Sequence, residues 1–292
     1  MKALGAFKYY EAASVQDAIS VLNQYAGKAK AYAGGVDVID WMKKRYMPTP
    51  QVLVNLKKIP GLNKMEKQSD GVHIGSLVTL AELVDGSPIP MLADAAKKGP
   101  APNLRTQATV GGNICQNVWC WYYRWPDWYC YRKGGPVCFA TAGRNQFHAI
   151  MEQKVCNAVV PGDVSVALTA LGANLMIQGS GGSRTVPIKE FYIVLGNVLK
   201  PDEIITDIVV PETPSKGVFV KSRTRAAIDF ATASVAAATT SKGTTVALGG
   251  VAPIIPSGTP DEIKAALDKA TPLSQNKYKL SVVRSLLKQA GV

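Results

Sequence analysis

All five cysteines of the chain, Cys115, Cys120, Cys130, Cys138 and Cys156, fall within one stretch, Thr109 to Asp163. Four of the five tryptophans lie there too, and from Trp119 to Tyr131 eight of thirteen residues are aromatic. The stretch opens with Thr109-Val110-Gly111-Gly112-Asn113 and closes with Pro161-Gly162-Asp163. A chain that gathers its thiols and indoles in one segment builds a local site there. Spread through the sequence, the same residues would only have supplied core.

The rest of the composition sets outer bounds. With 292 residues and 47% hydrophobic content the chain can bury a sizeable core, as one large domain or as two or three smaller ones. No apolar run reaches the roughly 18–20 residues needed to span a bilayer. Met1 to Tyr10 lacks an apolar signal core and a twin-arginine pair, so no export signal and a cytoplasmic location are expected. A net charge of +12 suits acidic partners, phosphate-rich cofactors or nucleic acid without choosing among them. Clustered cysteines in a chain without an export signal favour metal or iron–sulfur ligation over a disulfide framework.

Taken in order, Ser14 begins a helix as N-cap, with Asp17 at the capping-box position and Val15, Ala18, Ile19, Leu22 and Ala26 at helical spacing. Lys28 to Ala33 reads as a strand running into Gly34-Gly35, and Val36 to Met42 as a helix. The glycine pair therefore falls at a strand-to-helix turn, where free backbone N–H groups and a helix N-terminus suit a pyrophosphate. Alone, that motif is common and weak. Val52 to Leu56 and Val72 to Gly75 are strands, with His73 expected to face solvent. Helices are expected from Thr79 and over Asp94 to Lys98, then over Val164 to Leu171. Ala173 to Ile177 and Asp207 to Val210 are strands. From about Val218 the texture changes to strands at Phe219 to Ser222, Phe230 to Ala238 and Thr244 to Gly249. A helix then starts at Thr259-Pro260, and an amphipathic terminal helix carries Val282, Val283, Leu286 and Leu287. This tail predicts a separate α+β unit with helices on one face of an antiparallel sheet.

The cysteine spacings of 5, 10, 8 and 18 residues match neither a short zinc-finger pattern nor tight ferredoxin repeats. Two readings fit the residues by themselves. Four thiolates on a long loop can hold a cubane, with the aromatic residues excluding water. Alternatively, they are buried free thiols in a packed aromatic patch. Cys115, inside the Gly-Gly-Asn segment, is the spare thiol.

A series of segments in fixed order carries a resemblance. These are Ala33-Gly34-Gly35-Val36-Asp37-Val38, Ala108-Thr109-Val110-Gly111-Gly112-Asn113-Ile114, Leu199 to Ile205, Lys221-Ser222-Arg223-Thr224-Arg225 with Asp229, and Ala247 to Pro253. Together they resemble the FAD-binding medium subunit of the molybdenum hydroxylases, the family of xanthine dehydrogenase and carbon monoxide dehydrogenase, over nearly the whole chain. The insert of about forty residues after the second Gly-Gly segment resembles that of 4-hydroxybenzoyl-CoA reductase β subunit and periplasmic aldehyde oxidoreductase, which carry a [4Fe–4S] cluster there. Cys130 and Cys138 share the reductase spacing. Gly143 to Ile150, Cys156 and Pro161 to Asp163 look more like the aldehyde oxidoreductase type.

The resemblance implies an α+β fold: a two-part FAD-binding domain, comprising a small α/β subdomain (1–58) and a larger mixed-sheet subdomain (59–178, insert at about 115–158). A C-terminal antiparallel sheet with helices on one face (179–292) follows. It implies that Ala31 and Tyr32 lead into Ala33, Gly34, Gly35, Val36, Asp37 and Val38, which wrap the FAD pyrophosphate. Thr109, Val110, Gly111, Gly112 and Asn113 would hold the other side of the dinucleotide and Asp163 the flavin half. Ile205 and Lys221 would approach from the C-terminal side. The implied cluster ligands are Cys120, Cys130, Cys138 and Cys156, with Cys115 the competing candidate for the first position.

The implied function is electron transfer, with no catalytic residue on this chain. A large subunit would carry the molybdenum cofactor and substrate, and a small subunit two [2Fe–2S] clusters. An external carrier such as ferredoxin would complete the path, within a dimer of heterotrimers. Two rivals stand beside this reading: an FAD subunit without a cluster, and a basic nucleic-acid-binding module with cysteine-bound zinc and stacking aromatics. Basic residues are sparse among those aromatics, being Arg124, Arg132 and Lys133 alone.

Overall fold

The computed structural model describes residues 4–226 and 228–292. The N-terminal unit is built from β1 (Lys8–Glu11), α1 (Val15–Gln24), β2 (Ala29–Tyr32), α2 (Val36–Lys44) and β3 (Val52–Asn55). Its three strands pair in parallel in the order β1-β3-β2. Ser14 caps α1 as its spacing predicts, accepting the Asp17 N–H. The Asp17 carboxylate accepts from the Ala13 N–H, one residue outside the box geometry. Ala18, Ile19 and Leu22 bury the inner face of α1 against β2 and β3. Each buried Ile or Leu there contributes roughly 1.5–3 kcal/mol.

The middle unit begins with β4 (Met65–Gln68), β5 (Gly71–Gly75), α3 (Leu80–Gly86), α4 (Pro90–Lys98), α5 (Pro102–Arg105) and α6 (Val110–Ile114). After the cysteine segment come α7 (Asp163–Ala170), β6 (Asn174–Gly179), β7 (Gly182–Pro187), α8 (Ile188–Phe191), a small hairpin of β8 (Tyr192–Ile193) and β9 (Gly196–Asn197), and β10 (Ile204–Val210). Five strands form one sheet in the order β4-β5-β10-β6-β7, and every pairing in it is antiparallel. Strands β7 and β10 lie beyond the expected boundary at 179, yet they belong to this sheet. The middle unit therefore runs through Val210. The reason is non-local: β10 is the centre of the sheet, hydrogen-bonded to β5 more than a hundred residues earlier.

The third unit is β11 (Lys216–Ser222), β12 (Ala233–Thr240), β13 (Gly243–Gly249), β14 (Ser257–Gly258), α9 (Pro260–Asp268) and α10 (Tyr278–Ala290). The strands pair antiparallel in sequence order. Thr259 caps α9 with a complete capping box to Glu262, and Pro260 occupies the first turn where its missing N–H costs nothing. Val283, Leu286 and Leu287 of α10 and Ile263 and Leu267 of α9 cover one face of this sheet. The opposite face packs on α4 and α7. All eight residues of α7 are buried, because it is enclosed between α4 and the strands β12 and β13. That explains why its sequence is not striped: Val164, Val166, Ala167, Leu168 and Ala170 fall on every side, with Asp163, Ser165 and Thr169 buried among them.

His73 departs from expectation. It does not face solvent freely but lies half-buried between two carboxylates, with Nδ1 2.5 Å from Asp207 and Nε2 2.9 Å from Asp70. Asp207 is on the neighbouring strand β10, which the alternation of β5 alone does not reveal. Phe230 also differs. The strand expected from that residue starts at Ala233, and Phe230 instead stacks on Trp119 at 4.9 Å.

Candidate functional site

The two Gly-Gly segments, about seventy-five residues apart in sequence, meet in space. A side-chain carbon on Gly34 would lie 1.7 Å from the carbonyl oxygen of Gln107, so only glycine allows this approach. Gly35 has φ +72° and serves as N-cap of α2, a left-handed turn that releases the chain from β2 into the helix. The second segment forms the short α6. Thr109 caps it by accepting the Gly112 N–H, and the Gly111 N–H donates to Ser76 at 2.9 Å. Ala31 and Tyr32 end β2 and lead into the first segment. Val36, Asp37 and Val38 form the first turn of α2, while Val110 is buried in the central core.

Asp163 and Lys221 form a second focus beside these turns. Asp163 opens α7, and Gly162 before it brings the Asn113 and Ser165 side chains close: a side-chain carbon at Gly162 would stand 2.7 Å from Ser165 Oγ and 3.2 Å from Asn113 Oδ1. Lys221, 1% exposed, donates to Asp163 Oδ2 at 2.7 Å and to the carbonyls of Lys98 and Asp229. Arg223 donates to the same Lys98 carbonyl. Burial pushes the Asp163 carboxyl above its usual range, with the Lys221 ammonium opposing. Asp163 Oδ1, Asn113 Oδ1 and Ser165 Oγ are buried without any hydrogen-bond partner. Orphaned polar atoms in one place are costly unless a ligand satisfies them. A flavin, with its carbonyls, ring nitrogens and ribityl hydroxyls, is the kind of group that fits. Ile205 is buried in β10, one residue before the register shift that carries Thr206, whose carbonyl accepts the Ser76 N–H. It thus backs the loop on which Gly111 rests.

The cysteine segment is a long loop with one 3-10 turn, Tyr131–Lys133, among its described residues. Trp119 and Val159 close its neck with paired backbone hydrogen bonds of 2.8 and 3.2 Å. It packs on the N-terminal unit through Trp41, Met42, Tyr46 and Leu53. Cys120, Cys130, Cys138 and Cys156 line one small cavity, walled by Tyr122, Tyr123, Arg132 and Phe139. Cys115, the C-cap of α6, is outside it. Three of the four sulfurs have polar neighbours: His148 Nε2 lies 3.2 Å from Cys120, Asn157 Nδ2 donates to Cys138 at 3.3 Å, and Arg132 Nη1 lies 3.9 Å from Cys156.

Burial pushes the Cys120 thiol up to about 12 and raises Cys156 as well. Deprotonation there needs a cation in contact, which is how metal binding couples to proton release. Among the described residues, no three His, Cys, Asp or Glu side chains converge as a single metal ion requires. Four thiols around one small cavity are the donor type and number that a cubane takes, each thiolate binding its own iron.

Arg124 joins the two regions. Its guanidinium lies against the rings of Trp119 and Phe230, donates to the carbonyls of Asn117 and Val118, and stands 3.9 Å from Asp37 of the first Gly-Gly segment. Burial raises the Asp37 carboxyl, with Arg124 opposing. The other two basic residues of the aromatic run also turn inward. Arg132 donates to the Val194 carbonyl and Lys133 to those of Trp125 and Trp128. None of the three is presented as a free cation for a nucleic-acid backbone, which adds to their sparseness as an argument against that rival. No helix among the described residues is long and apolar enough to cross a membrane.

Sequence reasoning passes over Asn157 and the orphaned Ser165, and names Arg124 only as one of three scattered basic residues. Only His148 carries a prior signal, through its place in the Gly143 to Ile150 motif. That motif is held from the far side: Asn145 exchanges hydrogen bonds with Gln275, and Asn276 donates to the carbonyls of His148 and Ala149.

Residues 5–213 match the family described as FAD binding domain in molybdopterin dehydrogenase. The chain is 32% identical over 259 residues to the aldehyde oxidoreductase FAD-binding subunit PaoB of Escherichia coli (strain K12), covering 83% of this chain and 81% of that protein. It is 28% identical over 260 residues to the carbon monoxide dehydrogenase medium chain of Hydrogenophaga pseudoflava, covering 85% and 75%. Its fold superposes on a solved carbon monoxide dehydrogenase of Hydrogenophaga pseudoflava with a TM-score of 0.74 at 23% identity, over 99% of this chain and 96% of that one. A cyanide-inactivated Cu,Mo-CO dehydrogenase gives 0.76 at 22%, over 99% and 98%. The α+β architecture of a two-part FAD domain is thereby shared. With the paired glycine turns, the buried Asp163–Lys221 focus and a match over most of its length, the chain belongs to the family of FAD-binding domains of the molybdopterin dehydrogenases.

Proposed function

We propose that this chain is the flavin-carrying electron-transfer subunit of a molybdenum hydroxylase or reductase complex, and that Cys120, Cys130, Cys138 and Cys156 hold a [4Fe–4S] cluster. The observation that carries the cluster is the convergence of those four thiols, and not Cys115, on one cavity. FAD and cluster, when bound, supply carriers for two electrons and for one. The protein's part is to place them and exclude water.

In this reading Gly34 and Gly35 open the backbone to the pyrophosphate at the start of α2, and the Thr109 to Asn113 turn holds the other side of the dinucleotide. Asn113, Asp163 and Ser165 satisfy polar groups of the flavin half, with Lys221 holding Asp163 in place and Ile205 backing the Ser76 loop. Tyr122, Tyr123 and Phe139 shield the cysteine cavity. Large and small partner subunits carry the molybdenum cofactor and the [2Fe–2S] clusters, and an external carrier such as ferredoxin exchanges electrons with this chain. The reading is supported by the names of the relatives, which are subunits of oxidoreductases.

The test is a visible spectrum with iron, acid-labile sulfide and flavin counts on anaerobically purified complex. About four irons per chain beyond those of the small subunit are expected. Intact yellow protein without this extra iron ends the cluster assignment and leaves an FAD subunit alone.

A further inference from the structure

His148 is 2% exposed and sits behind Cys120, outside the ring of residues that line the cysteine cavity. Its Nε2 is 3.2 Å from the Cys120 sulfur. Its ring is boxed by Trp121 at 5.2 Å, edge to face, and by Tyr122 at 5.9 Å. The other ring nitrogen, Nδ1, is buried without a partner. These facts decide the tautomer. A hydrogen on Nδ1 would be an unsatisfied buried donor, and the Nε2 lone pair would then face a sulfur that is electron-rich when ligating. A hydrogen on Nε2 satisfies the sulfur and leaves only an unused acceptor.

The ring is also held in register from another unit of the fold. The His148 carbonyl accepts from Asn276 at 3.1 Å and from Lys279 at 2.9 Å. Both donors are fully buried, and Lys279 lies on α10 while Asn276 precedes it. The Lys279 ammonium also donates to the carbonyls of Phe147 and Gly250. A lysine buried to tie down three carbonyls fixes the backbone that aims the imidazole.

We propose that His148 is a positioning residue of the cysteine site: its Nε2–H donates to the Cys120 sulfur, and the C-terminal unit holds it there to set the redox potential of the cluster. The inference rests on the cluster reading above. A donated hydrogen bond draws electron density from the thiolate and favours the reduced, more negative form of an iron–sulfur centre. Asn157 does the same at Cys138. The site therefore has a tuning shell drawn from the insert, with one member aimed by α10.

The experiment is a redox titration, followed by electron paramagnetic resonance, on anaerobically purified complex carrying His148→Phe or His148→Gln. Iron and flavin are counted in each. With iron and flavin retained, His148→Phe shifts the midpoint of this cluster to more negative potential. His148→Gln, which keeps an N–H donor, stays closer to wild type. A fully loaded His148→Phe protein with an unchanged midpoint overturns the proposal. Should His148→Phe fail to assemble, wild-type protein labelled with 15N-histidine decides: a weak nitrogen coupling to the reduced cluster supports the contact, and none overturns it. Wild-type complex without the extra iron is a separate result, which overturns the cluster reading and this inference with it.

Discussion

Lys221 Nζ lies 2.7 Å from Asp163 Oδ2, and the two side chains are 1% and 7% exposed. One comes from the third unit's edge strand and the other from the first turn of α7, so this ion pair joins two units at the flavin focus. Its ammonium is further held by two carbonyls, whereas one carboxylate oxygen has no protein partner. Lys221→Ala leaves a buried carboxylate unpaired and is expected to cost about 3–5 kcal/mol. Replacing both, as Lys221→Met with Asp163→Leu, recovers much of that stability but not flavin content. Urea denaturation and flavin absorbance, read side by side, separate the two effects.

Gly34→Ala places a methyl against the Gln107 carbonyl, which is main chain and cannot rotate away. The expected result is loss of bound FAD and destabilisation of at least about 1–3 kcal/mol. Gly196→Ala is the control, since nothing lies within 4 Å of that position. Equal flavin content in both variants would show that the close approach of the two turns is not needed for binding.

Cys138→Ser is expected to lose the iron of this chain while retaining FAD, because the cavity and the glycine turns are separate structures. Cys115→Ser, outside the cavity, keeps its iron. Iron and flavin counts on the two variants check the ligand set directly, and full iron in Cys138→Ser removes that residue from it.

His73 contributes a pH dependence. Burial disfavours its charged ring, but hydrogen bonds to Asp70 and Asp207 and their negative charge outweigh this and raise it above the usual value of about 6.5. A base raised on folding stabilises fully below its unfolded value, and that stability is lost as pH rises through the folded value. Wild-type stability should therefore fall as pH rises above about 6.5 by more than that of His73→Gln. Parallel curves for the two proteins would mean that His73 is not the source.

Much of the fold is legible locally. Ser14, Thr79 and Thr259 each start a helix with a side-chain cap, and capping is settled within four residues. The apolar spacing of α1 and α10 names their buried faces for the same reason. Misreadings arise where a partner distant in sequence decides. His73 alternates like a surface residue until Asp207 pairs beside it. The boundary at 179 ignores β10, which completes a sheet begun at residue 65. Phe230 continues a strand pattern, but the indole of Trp119 takes it out of the sheet.

The sequence by itself determined what chemistry was available: glycines at two turns, a carboxylate at Asp163, and thiols and aromatics in one segment. It determined these because turn geometry and residue type act over a few residues. Only the tertiary structure decided which of them meet. Gly34 touches Gln107, Lys221 reaches Asp163, and Arg124 bridges the insert to Asp37 through packing between segments far apart in the chain. The same holds for the cysteines. Spacing offered five without a pattern, and the folding of the loop back on itself, closed at Trp119 and Val159, selects the four that face one cavity.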